Sequence, residues 1–328
     1  MFQKIVESLR GRLEEWKIGR LVFPHPSTLP SFHSKVSTSF SGKLKHARVK
    51  KILKYTPISH FSLTLLLCGH LLCFHHADAA FERPPLVPPI MARGGASVGW
   101  PEEPSAFLWN PAGEISSRAS FSTAYSRPYS VDDLDEGILS YAHTVAKRGC
   151  LGLSWQRFRT AGYYEERQAI AASYGHQSVR AGVRLDRFRI GIDGFGNRSA
   201  LGVNVGGLWQ INEDLQLGIA ADALNRPHIP HPLPRRFAVG IGLRVMPGLL
   251  LVMDVRKETD VDVQILAGAE LSVGHHLMLR AGMHNQPWEV TAGWGLRIHA
   301  LVVDYAWVNH ARLGGTHQIA LRWDFERR

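Results

Sequence analysis

Cysteine is scarce in this 328-residue chain: Cys68, Cys73 and Cys150 are its three, and only Cys150 lies beyond residue 79. A single cysteine there excludes an internal disulfide and a cysteine-based metal site. Lysine is as rare past residue 60, where only Lys147 and Lys257 occur. Long apolar runs are missing too. The stretch 61–74, FSLTLLLCGHLLCF, has fourteen residues with His70 among them, short of the roughly 20 that a membrane-spanning helix needs. What is plentiful is positive charge, 38 Lys+Arg against 28 Asp+Glu. Residues 1–60 hold 12 of the basic and 3 of the acidic side chains, which leaves 26 against 25 for the remainder. The basicity belongs to the N-terminus, and no later cluster could neutralise a row of phosphates, which excludes a nucleic-acid-binding domain.

The basic run from Lys43 to Lys51, the apolar stretch 61–74 and the small residues Ala77-Asp78-Ala79 are the three parts of a secretory signal peptide. Residues 43–79 are therefore expected to be that signal, with cleavage near Ala79. Neither Cys68 nor Cys73 follows a small residue, which disfavours a lipid anchor. Residues 1–42 show no clear periodicity and are expected to be an upstream misreading of the start.

From about residue 118 onward the chain is a succession of alternating segments. Ile319, Leu321, Trp323 and Phe325 face one way and Gln318, Ala320, Arg322 and Asp324 the other. Phe237, Val239, Ile241, Leu243 and Val245 alternate in the same way, as do Val290, Ala292, Trp294, Leu296 and Ile298. Period two marks strands with one apolar face. Turn residues separate them at Asn212-Glu213-Asp214, Pro247-Gly248, Thr259-Asp260, Gly274-His275 and Asn285-Gln286-Pro287, and longer loops are expected at Asn225–Arg235 and Asn309–Thr316.

A soluble sandwich or a lipocalin-like barrel shows the same period. The second face here mixes Gly with Arg, Asp, Glu and Gln, and aromatics such as Tyr125, Trp155, Trp209, Trp288, Trp307, Trp323 and Phe325 sit at segment ends. A lumen and an interfacial girdle explain both features. The expected fold is all-β: a transmembrane antiparallel β-barrel of about fourteen strands over residues 118–328, preceded by a short hatch segment at 80–117 that folds into the lumen. The stretch 178–194 changes phase between Leu185 and Phe188, so a turn at Asp186-Arg187 would make fifteen. Single-chain bacterial barrels have even counts, which favours fourteen.

The segment Ala92–Glu114, ARGGASVGWPEEPSAFLWNPAGE, contains Gly94-Gly95-Ala96, Glu102-Glu103 and Asn110-Pro111-Ala112-Gly113. It resembles the N-terminal motif of the PorV/PorQ-type outer-membrane proteins, relatives of the FadL-like barrels. Asp304-Tyr305-Ala306-Trp307 followed by Leu313-Gly314-Gly315-Thr316-His317 is similar to that family's last hairpin. Gln318, Trp323 and Phe325 resemble the signal read by the barrel-assembly machinery. The resemblance implies an outer-membrane protein that contacts lipid and handles either secretion-system substrates or a small hydrophobic ligand, without a cofactor; a purely structural role is the remaining possibility.

Arg180, Arg184, Arg189, Arg236, Arg244, Arg256, Arg280, Arg297 and Arg322 are expected on the lumen side, together with Asp193, Asp222, Asp254, Asp262, Glu270 and Asp324. They read either as an ion-selective lining or, more simply, as cross-strand ion pairs that fill the barrel. Gly95-Ala96-Ser97-Val98-Gly99 matches G-x-S-x-G, but no strand precedes it and no helix follows, so a hydrolase serine is disfavoured. The pairs His228/His231, His275/His276 and His284/His299 lack the carboxylate or cysteine spacing of a metal site, and Gly191–Gly196 has no helix after it to cradle a phosphate. No catalytic or metal site is expected. Terminal sequencing of the membrane-extracted protein is expected to begin near residue 80; a chain that begins at Met1 would defeat the signal assignment.

Overall fold

In a computed structural model the described residues are 80–81, 84–113, 117–145, 148–229, 231–259 and 261–325. The signal segment 43–79 and the extension 1–42 lie outside them. Each alternating segment forms a strand: β1 (Ala119–Arg127), β2 (Asp135–Val145), β3 (Gly149–Thr160), β4 (Tyr163–His176), β5 (Val179–Ile192), β6 (Gly196–Gln210) and β7 (Leu215–Asp222). A two-strand excursion follows, β8 (His228–Ile229) and β9 (His231–Pro232). Then come β10 (Arg236–Met246), β11 (Leu249–Glu258), β12 (Gln264–Val273), β13 (Leu277–His284), β14 (Glu289–Ile298), β15 (Leu301–His310) and β16 (Gly314–Phe325). Apart from β8 and β9, these form a closed fourteen-stranded antiparallel barrel in which β7 pairs with β10 and β16 returns to β1. At the closure Ala124 lies opposite Ala320 and Tyr125 opposite Ile319.

The apolar faces point outward. On β10, Phe237, Val239 and Ile241 are 50%, 59% and 39% exposed while Ala238 between them is 6% exposed, the inverse of a soluble sandwich. Phe237 to Val245 covers about 26 Å along the strand at ~3.3 Å per residue. Tilted by about 40°, that is ~20 Å of height, close to the ~25 Å apolar band of a membrane barrel.

β5 is one unbroken strand, paired along its whole length with β4 and β6, so Asp186-Arg187 is not a turn and the count stays at fourteen. The phase change seen in sequence arises because Phe188 and Ile190 point inward, where they pack on Ile229 and Leu233. Both termini of the barrel lie at the end with the short turns; the longer connections, including 128–134 and 223–235, gather at the other end. The expected loop at Asn309–Thr316 shrinks to a turn at 311–313, because β15 runs to His310 and β16 starts at Gly314.

Residues 84–113 pack against the inner wall. They form one short helix, α1 (Pro88–Met91), and a single 3-10 turn at Ala106–Leu108. Leu86, Val87, Ile90, Phe107 and Trp109 join inward-facing Ala124, Ile138, Ala306 and Ala320 in the largest apolar cluster. An Ala124→Cys, Ala320→Cys pair is expected to oxidise to a cross-link in the folded protein, since directly opposed strand residues fall within disulfide reach. A folded pair that resists oxidation would argue against closure between β1 and β16.

Candidate functional site

The lumen is built from two sets of groups, the backbone of residues 84–113 and the inward side chains of the strands. Asp254 accepts the Ser97 and Val98 amides at 2.7 and 2.9 Å. Thr291 accepts the Gly94 amide and donates to the Ala92 carbonyl, each at 3.0 Å. Asn110 donates to the carbonyls of Val98 (2.8 Å) and Gly207 (3.1 Å) and accepts the Ala112 amide. A loop buried in this way would otherwise leave its polar backbone groups without partners, at about 1–3 kcal/mol each. Wall side chains stand in for the missing water.

Gly94 occupies a tight point. Its φ is +70°, and a Cβ there would come within 2.6–2.8 Å of the backbone of Ala267 and Met283. Only glycine meets both demands. Gly95 has φ +78°. Ala96 and Asn110 are fully buried; Pro111 lies against Gly182 and Gly113 against Pro101. Gly94 and Pro111 of the two motifs thus touch the wall directly, as do Val98 and Gly99 between them.

Arg184 is the most completely satisfied ion of the lumen. Its Nε and Nη2 donate to Asp186, Nη2 also to Asp222, and Nη1 to the carbonyls of Phe107 and Leu108, all at 2.8–3.1 Å. All five guanidinium donors are used. Asp186 is shared with Arg167 at 2.7 Å and with Asn204 at 3.0 Å. Arg280 bonds to Glu270 and Asp304, each at 2.7 Å, and Arg322 pairs with Glu103 of the inner segment. Arg236 pairs with Glu258 at 2.9 Å and Arg297 with Asp324 at 3.1 Å. Arg244 lies 5.1 Å over the Trp100 ring. Arg180 sits near the short-turn mouth and donates to the Arg148 carbonyl.

Three residues expected in the lumen are elsewhere. Asp262 is exposed in the connection between β11 and β12, because β12 begins only at Gln264. Asp193 is in the exposed β5–β6 turn, beyond the end of the alternation. Arg189 faces outward, 3.8 Å from the outward-facing Glu166, because the phase of β5 never changes. On β16, Gln318 points inward while Trp323 and Phe325 are half-exposed on the outer face.

Above the Arg184 cluster, at the long-loop end, lies a cavity of about 60 Å³. Phe81, Phe158, Phe188 and Leu233 form its apolar wall and Glu165, Arg167, Asp222 and Arg236 its polar edge. Phe81 caps it: its ring meets Phe188 edge-on at 4.8 Å, and its amide donates to Glu165 at 3.1 Å. Sequence spacing gives no sign of this cavity, since its walls come from segments far apart in the chain. The one local signal is the apolar pair Phe188 and Ile190 on the side of β5 expected to be polar.

No protein-family profile matches the chain and no curated protein matches it. Among solved structures it is similar to the CymD monoaromatic hydrocarbon channel, with 12% identity and a TM-score of 0.59 over 76% of this chain and 100% of that one. It is similar to the toluene transporter TbuX of Ralstonia pickettii, with 14% identity and a TM-score of 0.57 over 75% and 100% of the two chains. For the Pseudomonas putida toluene transporter TodX the identity is 11% and the TM-score 0.54, over 71% and 95%. At these identities the likeness is one of fold, a closed antiparallel β-barrel.

Proposed function

We propose that this protein is an outer-membrane channel for small hydrophobic compounds, with residues 80–117 as the plug of its lumen. The observation that carries the reading is the phenylalanine-lined cavity at the long-loop end, seated directly above a charged floor. The three similar barrels are described as a monoaromatic hydrocarbon channel and toluene transporters, which supports the same ligand class here. A secretion-associated role rests on the PorV/PorQ-type motifs alone. β16 is the segment offered to the barrel-assembly machinery, and no catalytic step is needed.

The chemistry divides by height. Apolar rings at the mouth favour an uncharged aromatic solute, while the Arg184 cluster beneath them already has its donors occupied and offers nothing to a passing ion. A cavity of about 60 Å³ is smaller than the ~150 Å³ that holds a benzene-sized ring in a protein core. Entry therefore requires Phe81 and the 223–235 connection to move outward.

Proteoliposomes that carry the protein are expected to take up radiolabelled toluene faster than empty vesicles. Phe158→Glu should lower the rate on the order of tenfold by placing a charge in the apolar wall; equal rates with and without protein would defeat the channel reading. For the plug, Asp254→Ala removes the acceptor of the Ser97 and Val98 amides, about 1–3 kcal/mol for each group stranded. Conductance in planar bilayers is expected to rise in this variant. Unchanged conductance with unchanged protease resistance of the segment would count against a plug.

A further inference from the structure

The outer surface of the barrel is asymmetric in charge. Outward arginines occur on β1, β3 and β5, namely Arg127, Arg157, Arg159, Arg187 and Arg189, whereas the described strands from β6 to β16 carry no outward arginine and one outward lysine, Lys257. Three carboxylates answer five guanidiniums. Asp132 and Asp135 pair with Arg127 and Arg159 at 3.1 and 3.3 Å. Glu166 is shared between Arg157 (3.7 Å) and Arg189 (3.8 Å). The ring of Tyr164 lies between the same two arginines, 5.0 and 5.8 Å from their guanidinium carbons. Arg187 is exposed and, among the described residues, has no carboxylate in ion-pair range.

Immediately toward the membrane centre the wall is indented. A depression of about 540 Å³ is lined by outward Leu153, Trp155, Ile170 and Leu185, with Gln168 and Arg187 on its rim. The inward residues of this row are small: Ser140 lies opposite Ser154, and Ser154 opposite Ala169. An apolar hollow with an unpaired guanidinium at its edge is complementary to an amphiphile with an anionic head. A guanidinium at the edge of an apolar band is costly without a counter-charge, and its planar fork matches phosphate oxygens two at a time.

We propose that the outward face of β3–β5 at the long-loop end is a binding site for a phosphorylated glycolipid of the outer leaflet. Arg157, Arg187 and Arg189 hold its phosphate, and an acyl chain lies in the hollow below. The site rests on the outer-membrane reading above, which puts the long-loop end in the outer leaflet, but not on what the lumen carries. A docked lipid would add lateral contacts on this side of the barrel.

The test uses the full chain in phosphatidylcholine nanodiscs, with diphosphoryl lipid A, its dephosphorylated form and inorganic phosphate as separate probes, and bound lipid counted by native mass spectrometry. The diphosphoryl form is expected to bind and the dephosphorylated form to bind far more weakly, with inorganic phosphate unable to compete at equal concentration. R187Q/R189Q should weaken binding on the order of tenfold, R187K/R189K should weaken it less, and Arg226→Gln, in an exposed loop, should leave it unchanged. A folded, heat-modifiable double variant that binds as tightly as the parent, or equal binding of the two lipid forms, would overturn the site. Displacement by inorganic phosphate would overturn the lipid assignment. Toluene uptake is scored on the same preparations: its loss with lipid binding intact defeats only the channel reading, and lost lipid selectivity with uptake intact defeats only this one.

Discussion

A ring of fourteen strands encloses more space than its own side chains can fill, and the rest of the molecule depends on how that space is occupied. About eight strands already leave room only for side chains. Here a length of main chain enters, and main chain cannot be buried without partners for its amides and carbonyls. Arg184 shows the solution in one residue, with two donors on the carbonyls of Phe107 and Leu108 and three on Asp186 and Asp222. The wall is polar inside because its contents are backbone. Most of its charges are closed on one another or on that backbone, which makes them part of the filling more than a lining for ions; Arg256, whose buried Nε has no partner among the described residues, is an exception.

Where that filling stops, the character of the interior changes. At the long-loop end Phe188 and Ile190 replace the polar inward residues of β5 and pack on Ile229 and Leu233 from the β8–β9 excursion. The apolar mouth and the ionic floor are thus consecutive inward positions of single strands. The step from Asp186 to Phe188 on β5 crosses the whole boundary. A short stretch of one strand therefore sets where the ionic filling ends and the apolar surface begins.

The wall was legible in the sequence because lipid imposes its demand at every second residue, and runs such as Phe237–Val245 obey it without exception. Legibility failed at the rims, where that demand ends. Arg189 and Asp193 lie past the apolar band, so alternation no longer says which way they point. The expected Asn309–Thr316 loop is mostly strand for the same reason: polar Asn309 and His310 can extend a ladder once they have left the lipid. Gly94 could be picked out within a motif, but its cause, the backbones of Ala267 and Met283, lies on strands far along the chain. The mouth cavity could not be read at all, since closure alone brings Phe81, Phe158, Phe188 and Leu233 together.

The return of β16 to β1 reverses the order of synthesis and the order of assembly. Residues 84–113 precede every strand in the chain, yet Gly94 bonds to Thr291 and Glu103 to Arg322, near the opposite end. Contacts of such separation form only after much chain has been closed into loops. The first part of the described chain to be made thus completes its contacts only when the last strands arrive. It must stay available while the strands line up in sequence, so the vessel is completed around its contents by the final strand.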